Sequence, residues 1–333
     1  DGEKNVLQAE CLSDVLEHAD GERFALLYDA LLADRTDDRI RAFVRNLYEF
    51  SEIQPDPDGW LNDCLRIYDD PQAVADALQQ MLRAERTALA AEADALRIDT
   101  VQAAFTRNIA ACEGLTDWLN RLTDRPKPAG RIPDWAQPLH ERYKDLAGRI
   151  EKFLDKEDTW NAAPDAVAAR PEAEVLVQLT RDFRAEYAAV KRKRGKLDFS
   201  DLEHYALEIL QSDAAEEIRA GVRYMFVDEY QDTNPLQEEI LNLLSARADL
   251  FEVGDLKQSI YAFRLCDPRI FLHKYRAYAA GRGGQAYLLN ANFRSSQSVV
   301  AGVNAVFGRA MTEAFGGVNY TETPLTCTRN KQG

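Results

Sequence analysis

The chain has 333 residues, of which 46% are hydrophobic and 29% charged, and its net charge is −15 at pH 7. This composition predicts an ordinary globular chain with two or three domains and excludes an intrinsically disordered one. Apolar runs are too short for a membrane span and the N-terminus lacks the apolar stretch of a signal peptide, so we expect no membrane partner.

The acidic charge argues against nonspecific nucleic-acid binding over the whole surface, although a binding channel needs only local positive charge. The cysteines and histidines are dispersed along the chain, and no C-x-x-C pair occurs. This pattern predicts free thiols in a reducing cytoplasm and disfavours a zinc site or disulfides.

Residues 1–196 are rich in Ala, Leu, Glu, Asp and Arg, and segment 75–105 carries apolar residues at helical spacing. We expect an all-helical domain here, with breaks where Pro and Gly cluster at 54–60, 124–135 and 161–166. The four tryptophans are expected in its core: Trp60, Trp118, Trp135 and Trp160. The basic run 191–194 with Lys196 is either a solvated helix end or a phosphate contact.

The sequence pattern changes at residue 197. Ser200 and Glu203 have the spacing of a capping box that would open a helix through Leu210, and Asp198 and Asp201 are expected to organise that turn. Short apolar runs of strand length then alternate with helical patterns. The predicted strands are 224–227, 250–253 and 286–289, and the predicted helices between them are 235–245 and 268–280. The alternation predicts an α/β fold with parallel strands and crossover helices.

Polar clusters follow two of the predicted strands, Asp228-Glu229 after the first and Gly254-Asp255 after the second. In parallel sheets, functional loops lie at the carboxyl ends of the strands. One acid there can hold Mg²⁺, and a neighbouring acid can take a proton from water, as phosphoryl transfer requires. An isolated acidic pair is more often a solvated surface feature, so the other motifs must decide.

Three segments in this order, VDEYQDTN (227–234), VGDLKQSIYAFR (253–264) and NFRSS (292–296), resemble the helicase motifs of the UvrD/Rep/PcrA superfamily. The amino-acid sequence is similar to the AddA branch, the helicase–nuclease subunits related to RecB, over 193–210 and 253–271 and more loosely over 47–61. The motif-bearing resemblance covers 191–309. It implies a helical domain of the type called 1B and part of a P-loop NTPase (RecA-like) parallel sheet with flanking helices.

The resemblance also implies roles at a Mg·ATP site. Asp228 would bind Mg²⁺, Glu229 would activate the attacking water, and Gln258 would sense the γ-phosphate. Arg294 would reach the γ-phosphate as an arginine finger, for which a planar guanidinium is suited. The remaining nucleotide-site residues would link the two clusters: Gln231, Asp232 and Asp255.

A DNA contact is implied for the end of the second motif. Tyr261 and Phe263 would stack on bases of single-stranded DNA, Phe263 more than Tyr261, and Arg264 would support that contact or bind the backbone. Taken without the motif, an aromatic pair two residues apart is more often part of a core.

No G-x-x-x-x-G-K-[ST] sequence, the loop that cradles phosphates, occurs in the chain. We therefore expect a segment of a longer protein, with a 1B-like domain at 1–196, the second half of motor domain 1A at 197–290 and the start of motor domain 2A at 291–333. Alone it should not hydrolyse ATP. The parent would unwind DNA ends in double-strand break repair with an AddB-like partner. The alternatives are a UvrD-like translocase without nuclease and a non-catalytic binding module.

Overall fold

The computed structural model describes residues 2–19, 21, 25–27, 37–95, 137–151, 163–311 and 319–328. The chain divides into two compact units, one formed by 1–69 with 168–286 and the other by 70–167 with 287–333. Residues 1–69 thus pack with residues that the sequence pattern assigned to a motor domain, and the predicted domain boundaries remain a prediction. None of the helices in the described ranges is long and apolar enough to cross a membrane.

The described part is rich in helices, with small parallel sheets. The helices are α1 (Gly2–Glu17), α2 (Asp38–Glu52), α3 (Pro57–Arg66), α4 (Pro71–Ala95), α5 (Gln137–Glu151), α6 (Ala163–Arg194), α7 (Phe199–Gln211), α8 (Ala215–Ala220), α9 (Pro235–Leu244), α10 (Pro268–Ala279) and α11 (Gln297–Ala310). The strands are β1 (Tyr224–Val227), β2 (Asp249–Glu252), β3 (Ala291–Asn292) and β4 (Thr326–Cys327). In this coarse form the predicted α/β class is confirmed.

The helical core of the first unit lies between α1, α2 and α6. Its aromatic centre is Tyr48, whose ring meets that of Phe183 edge-on with centroids 5.0 Å apart, and Phe183 stacks on Tyr187 at 5.9 Å. Aliphatic side chains of α1, such as the buried Leu12, complete it. Trp60 is half-buried and stacks on Phe50 at 6.4 Å. The other three tryptophans lie outside the described residues.

Two helices of the first unit, α7 and α9, begin at capping boxes. Asp198 is the N-cap of α7, with Asp201 at N3 completing a capping box. The expected box of Ser200 and Glu203 is therefore wrong by two residues, because the helix begins at Phe199, while the structural role expected of Asp198 and Asp201 is confirmed. A second capping box, Asn234 with Gln237, opens α9 directly after the DEYQDTN motif.

Three cations of the basic run, Lys191, Arg194 and Lys196, pair with acidic residues within their own unit. Lys191 is buried, with a side chain 6% exposed, and its Nζ lies 2.6 Å from Asp201 and 3.2 Å from Asp198. Farther along, Arg194 pairs with Glu10 at 3.2 Å, and Lys196 pairs with Glu3. Neither expected interpretation describes Lys191, which is a structural cation holding the start of α7.

The sheet of the first unit is a parallel pair. Tyr224 pairs with Asp249 and Val227 with Glu252, so both strands end at the same edge. The first predicted strand is confirmed and the second is displaced by one residue. The third, 286–289, is wrong. These residues have no strand pairing, and Tyr287, Leu288 and Leu289 are exposed, since no neighbouring strand in the described residues pairs with them.

In the second unit, α4 and α5 contact each other, and an ion pair joins Arg149 to Glu85 at 2.5 Å. A short parallel pair, β3 with β4, precedes and follows α11 along the chain. Asn304 of α11 fastens this region, since its Nδ2 donates to the Leu325 carbonyl at 2.9 Å and its Oδ1 accepts from the Tyr320 hydroxyl at 2.7 Å.

Candidate functional site

The candidate site lies at the carboxyl edge of β1 and β2, where the parallel register brings two polar loops together. Val253 N–H donates to the Val227 carbonyl at 2.8 Å, and Tyr230 N–H donates to the Val253 carbonyl at 2.9 Å. These bonds continue the ladder beyond the strands. Asp228 and Glu229 therefore lie beside Gly254 and Asp255, as the sequence predicted for the ends of neighbouring strands.

Glu229 adopts a left-handed backbone conformation, with φ 52° and ψ 38°. This region is uncommon for residues other than glycine and is often found at functional sites. The Asp228 carboxylate supports the turn by accepting a hydrogen bond from Glu229 N–H at 2.9 Å. Both carboxylates are solvent-accessible, so both can reach a ligand at this edge.

Gln231 is the bridge between the two loops. Its side chain is buried, its Nε2 donates to Glu229 Oε2 at 2.8 Å and to Asp232 Oδ2 at 3.3 Å, and its Oε1 accepts from Asp255 N–H at 2.9 Å. The amide can do this because it carries both donors and an acceptor. The structure thus brings together the predicted nucleotide-site residues of the first and second motifs.

Gln258 and Lys257 both hold the Asp255 carboxylate. Gln258 Nε2 donates to Asp255 Oδ2 at 3.0 Å, and the Lys257 ammonium lies 3.1 Å from Oδ1. Burial acts to raise the pKa of Asp255, but the hydrogen bonds from Gln258 and Lys257 outweigh it and keep that pKa below its ordinary value. Asp255 is therefore a charged anchor for the loop that presents Gln258.

An open cavity of about 500 Å³ lies against the acidic edge. Asp228, Glu229 and Asp232 line it together with mostly apolar side chains of α7 and α9, among which Glu203 and Gln237 are polar. Asp232 Oδ1 is buried without a hydrogen-bond partner. No group of three or more His, Cys, Asp or Glu in the described ranges has metal-site geometry. Solvent-accessible carboxylates such as Asp228 and Glu229 suit Mg²⁺ held by one or two carboxylates together with phosphate oxygens and water.

Arg294 belongs to the second unit. There Asn292 Oδ1 accepts from Arg294 N–H at 3.1 Å and from Ser295 N–H at 2.8 Å, which fixes the turn after β3. Its contact with a γ-phosphate stays a prediction.

The predicted DNA-binding residues form an exposed aromatic and basic cluster in the first unit. Phe263 is 75% exposed and Tyr261 is half-buried, with ring centroids 5.7 Å apart. The Arg264 guanidinium lies over both rings, at 5.2 Å from Tyr261 and 5.8 Å from Phe263. An exposed aromatic with a cation beside it suits base stacking, which stays a prediction for these residues.

Two residues of the site region were missed by sequence reasoning, Tyr230 and Lys274. Tyr230, which lies between Glu229 and Gln231 in the sequence, has a buried side chain, and Lys274 of α10 donates to its hydroxyl. Burial raises the pKa of Tyr230, and its hydrogen bond to Glu238 adds to that effect. An isolated tyrosine inside a polar motif gives little signal, and Lys274 lies 44 residues farther along the chain.

Comparison with known proteins identifies the family of the chain. A family model described as the UvrD/REP helicase N-terminal domain matches residues 37–279. Proteins named as the A subunit of an ATP-dependent helicase/nuclease are similar to nearly the whole chain: that of Geobacillus thermodenitrificans is 34% identical over 96% of the chain, and that of Staphylococcus aureus RF122 is 30% identical over 97%. The chain spans about 30% of the length of these relatives. Because the family model covers most of the chain and both acidic loops, the chain belongs to the UvrD/REP helicase N-terminal domain family.

Proposed function

We propose that the chain forms the acidic half of a Mg·ATP site in an ATP-dependent DNA helicase/nuclease that translocates on single-stranded DNA and unwinds duplex ends. The observation that carries this proposal is the Gln231 bridge. It joins Glu229 to the loop of Asp255 and Gln258 at one sheet edge. The relatives are named for a combined helicase/nuclease, which supports the nuclease-bearing branch over a translocase without nuclease.

The residues divide the work by their chemistry. Asp228 would hold Mg²⁺, which neutralises phosphate charge when it is bound. Glu229 would accept a proton from the attacking water, with its carboxylate oriented by Gln231. Gln258 would sense the γ-phosphate, while Asp232 and Asp255 connect the two loops. Arg294 would supply a guanidinium to the γ-phosphate.

The DNA would cross the Tyr261, Phe263 and Arg264 cluster. Phe263 offers an exposed ring for stacking, and Arg264 supplies positive charge at this surface of a strongly acidic chain. The helical residues would correspond to a 1B-like domain and the β1–β2 region to part of a RecA-like motor. An AddB-like protein is the proposed partner, and the cytoplasm the proposed compartment.

Strand displacement by the full-length protein tests the proposal. Asp228→Asn and Glu229→Gln should each abolish unwinding and lower ATP turnover by at least about a hundredfold, the range for removing a catalytic acid or base. Asp213→Asn, an exposed acid in the turn between α7 and α8, is the matched control and should leave both activities unchanged. Full unwinding by either site variant would overturn the proposal.

A further inference from the structure

Tyr230 follows the proposed water-activating residue and is held by charged groups as well as by packing. Its side chain is 1% exposed, and its ring lies 5.9 Å from that of Phe271. Its hydroxyl donates to the Glu238 carboxylate and accepts from the Lys274 ammonium at 2.6 Å. Packing of the ring alone would not require these two hydrogen bonds, so they indicate a further role for the Tyr230 hydroxyl.

Lys274 supplies the positive charge of this network. Its Nζ lies 2.7 Å from Glu252, the last residue of β2, and 3.0 Å from Glu238 of α9. The Lys274 side chain is 18% exposed, that of Glu238 is 17% exposed and that of Glu252 is 8% exposed. Four elements therefore meet at the Tyr230 hydroxyl: the turn after β1, the end of β2, α9 and α10. A cation shared by two partly buried carboxylates fixes its neighbours closely, because its loss leaves both of them without that charge.

The turn at Glu229 needs support from outside. A left-handed conformation is unfavourable for an L-residue and persists only where the surrounding structure holds it. On one side, Asp228 accepts the Glu229 N–H. On the other, Tyr230 N–H is tied to the Val253 carbonyl. The side chain of the same residue, Tyr230, is held at its hydroxyl by Glu238 and Lys274.

We propose that Lys274 and Tyr230 are positioning residues for Glu229: together they hold the strained turn that points its carboxylate along the sheet edge. The inference rests on the proposed function for its catalytic meaning. The claim that Lys274 and Tyr230 hold the turn at Glu229 does not depend on the proposed function, because it can be measured without nucleotide. Neither residue is assigned a contact with the reacting atoms in this proposal.

The first measurement is hydrogen exchange on the chain itself, without nucleotide. Tyr230→Phe removes only the hydroxyl and leaves the Lys274 ion pairs in place, whereas Lys274→Met removes the cation. In both variants, amides 229–232 should exchange faster than in wild type while the α2 core keeps its protection. Lys144→Met, an exposed lysine paired with Glu141 at 3.2 Å, is the control and should change neither.

The second measurement is ATP turnover by the full-length protein carrying the same substitutions. Both variants should lose about tenfold in kcat with KM for ATP unchanged, a factor typical of relaxing one strained backbone position. The double variant should be no worse than Lys274→Met alone, since both act on one turn.

The results of the two measurements distinguish failure of this inference from failure of the proposed function. If Tyr230→Phe keeps wild-type protection and kcat, Lys274 serves the fold alone and the inference is overturned, even if Lys274→Met is impaired. If both variants loosen residues 229–232 but the wild-type full-length protein hydrolyses no ATP, or Glu229→Gln remains active, the proposed function fails while the positioning of the turn stands. A rise in KM without a fall in kcat would also overturn the inference.

Discussion

Gly254 is the position where one added carbon should disturb the candidate site most. A Cβ built there would lie 2.6 Å from Gln231 Oε1, 3.1 Å from Gln231 N and 3.2 Å from Phe271 Cε2. The Gly254 backbone is not left-handed, so alanine is allowed by φ and the effect is steric. The nearest atom belongs to the amide that bridges the two loops, and it cannot move without breaking its hydrogen bond to Asp255.

The cost of Gly254→Ala follows from these contacts. Overpacking a close site costs about 1–3 kcal/mol, and a lost buried hydrogen bond adds about 1 kcal/mol. We expect the free energy of unfolding to fall by about 2–4 kcal/mol, measured by urea denaturation with circular dichroism. In the full-length protein, ATP turnover should fall as well, because Glu229 loses the partner that orients it.

The control is Gly302→Ala in α11, where an added Cβ meets nothing within 4 Å. That helical alanine should stabilise the chain by about 0.4–1 kcal/mol through the unfolded state. If Gly254→Ala matched wild type in both stability and turnover, the close approach of the Gln231 amide to residue 254 would be refuted.

Three further outcomes are expected. Lys191→Met should cost about 3–5 kcal/mol of stability in denaturant unfolding, because it strands two partly buried carboxylates, whereas the exposed Lys193→Met should change it by less than about 0.5 kcal/mol. Burial acts to raise the pKa of Asp198, but hydrogen bonds from the backbone and the charge of Lys191 outweigh it and lower that pKa. The Asp198 carboxylate therefore stabilises the fold above about pH 3.9, and this stabilisation is lost as the pH falls through the pKa of Asp198 in the folded state. Asp198→Asn should be less stable than wild type at pH 7 and equal to it in acid, and a stability difference that did not change with pH would contradict this. Phe263→Ala should weaken single-stranded DNA binding by the full-length protein by about 1–3 kcal/mol in fluorescence anisotropy, while the half-exposed Phe43→Ala should not, and equal effects would count against stacking.

The sequence predicted local structure well where one short-range signal decided it. The run Tyr224–Val227 forms a strand as expected, and α9 and α10 begin at their prolines, since proline suits the first helical turn. The expected box at Ser200 failed because two overlapping capping patterns occur there, and the chain uses the earlier one, in which Asp198 also meets Lys191.

Features that depend on contacts between residues far apart in the chain could not be predicted in this way. Run 286–289 has the composition of a strand, but a strand exists only by pairing, and pairing depends on residues far away in the chain. The sequence predicts Lys191 as part of either a solvated helix end or a phosphate contact, because burial of a charge depends on partners that the helical pattern does not display. The Gln231 bridge could be expected from the motif, but its geometry depends on the parallel register of β1 and β2.

The hydrogen bonds of Asp228 and Glu229 determine which substitutions remove their charge without changing the arrangement of the site. Asp228 and Glu229 both act as acceptors here, from Glu229 N–H and from Gln231 Nε2. An amide oxygen can accept the same bonds, so Asp228→Asn and Glu229→Gln keep the acceptor and remove only the charge and basicity. Alanine at either position would also release the left-handed turn or the Gln231 bridge. A loss of activity with the amide variants therefore reports on metal binding and water activation, whereas a further loss with alanine measures how much the preformed geometry contributes.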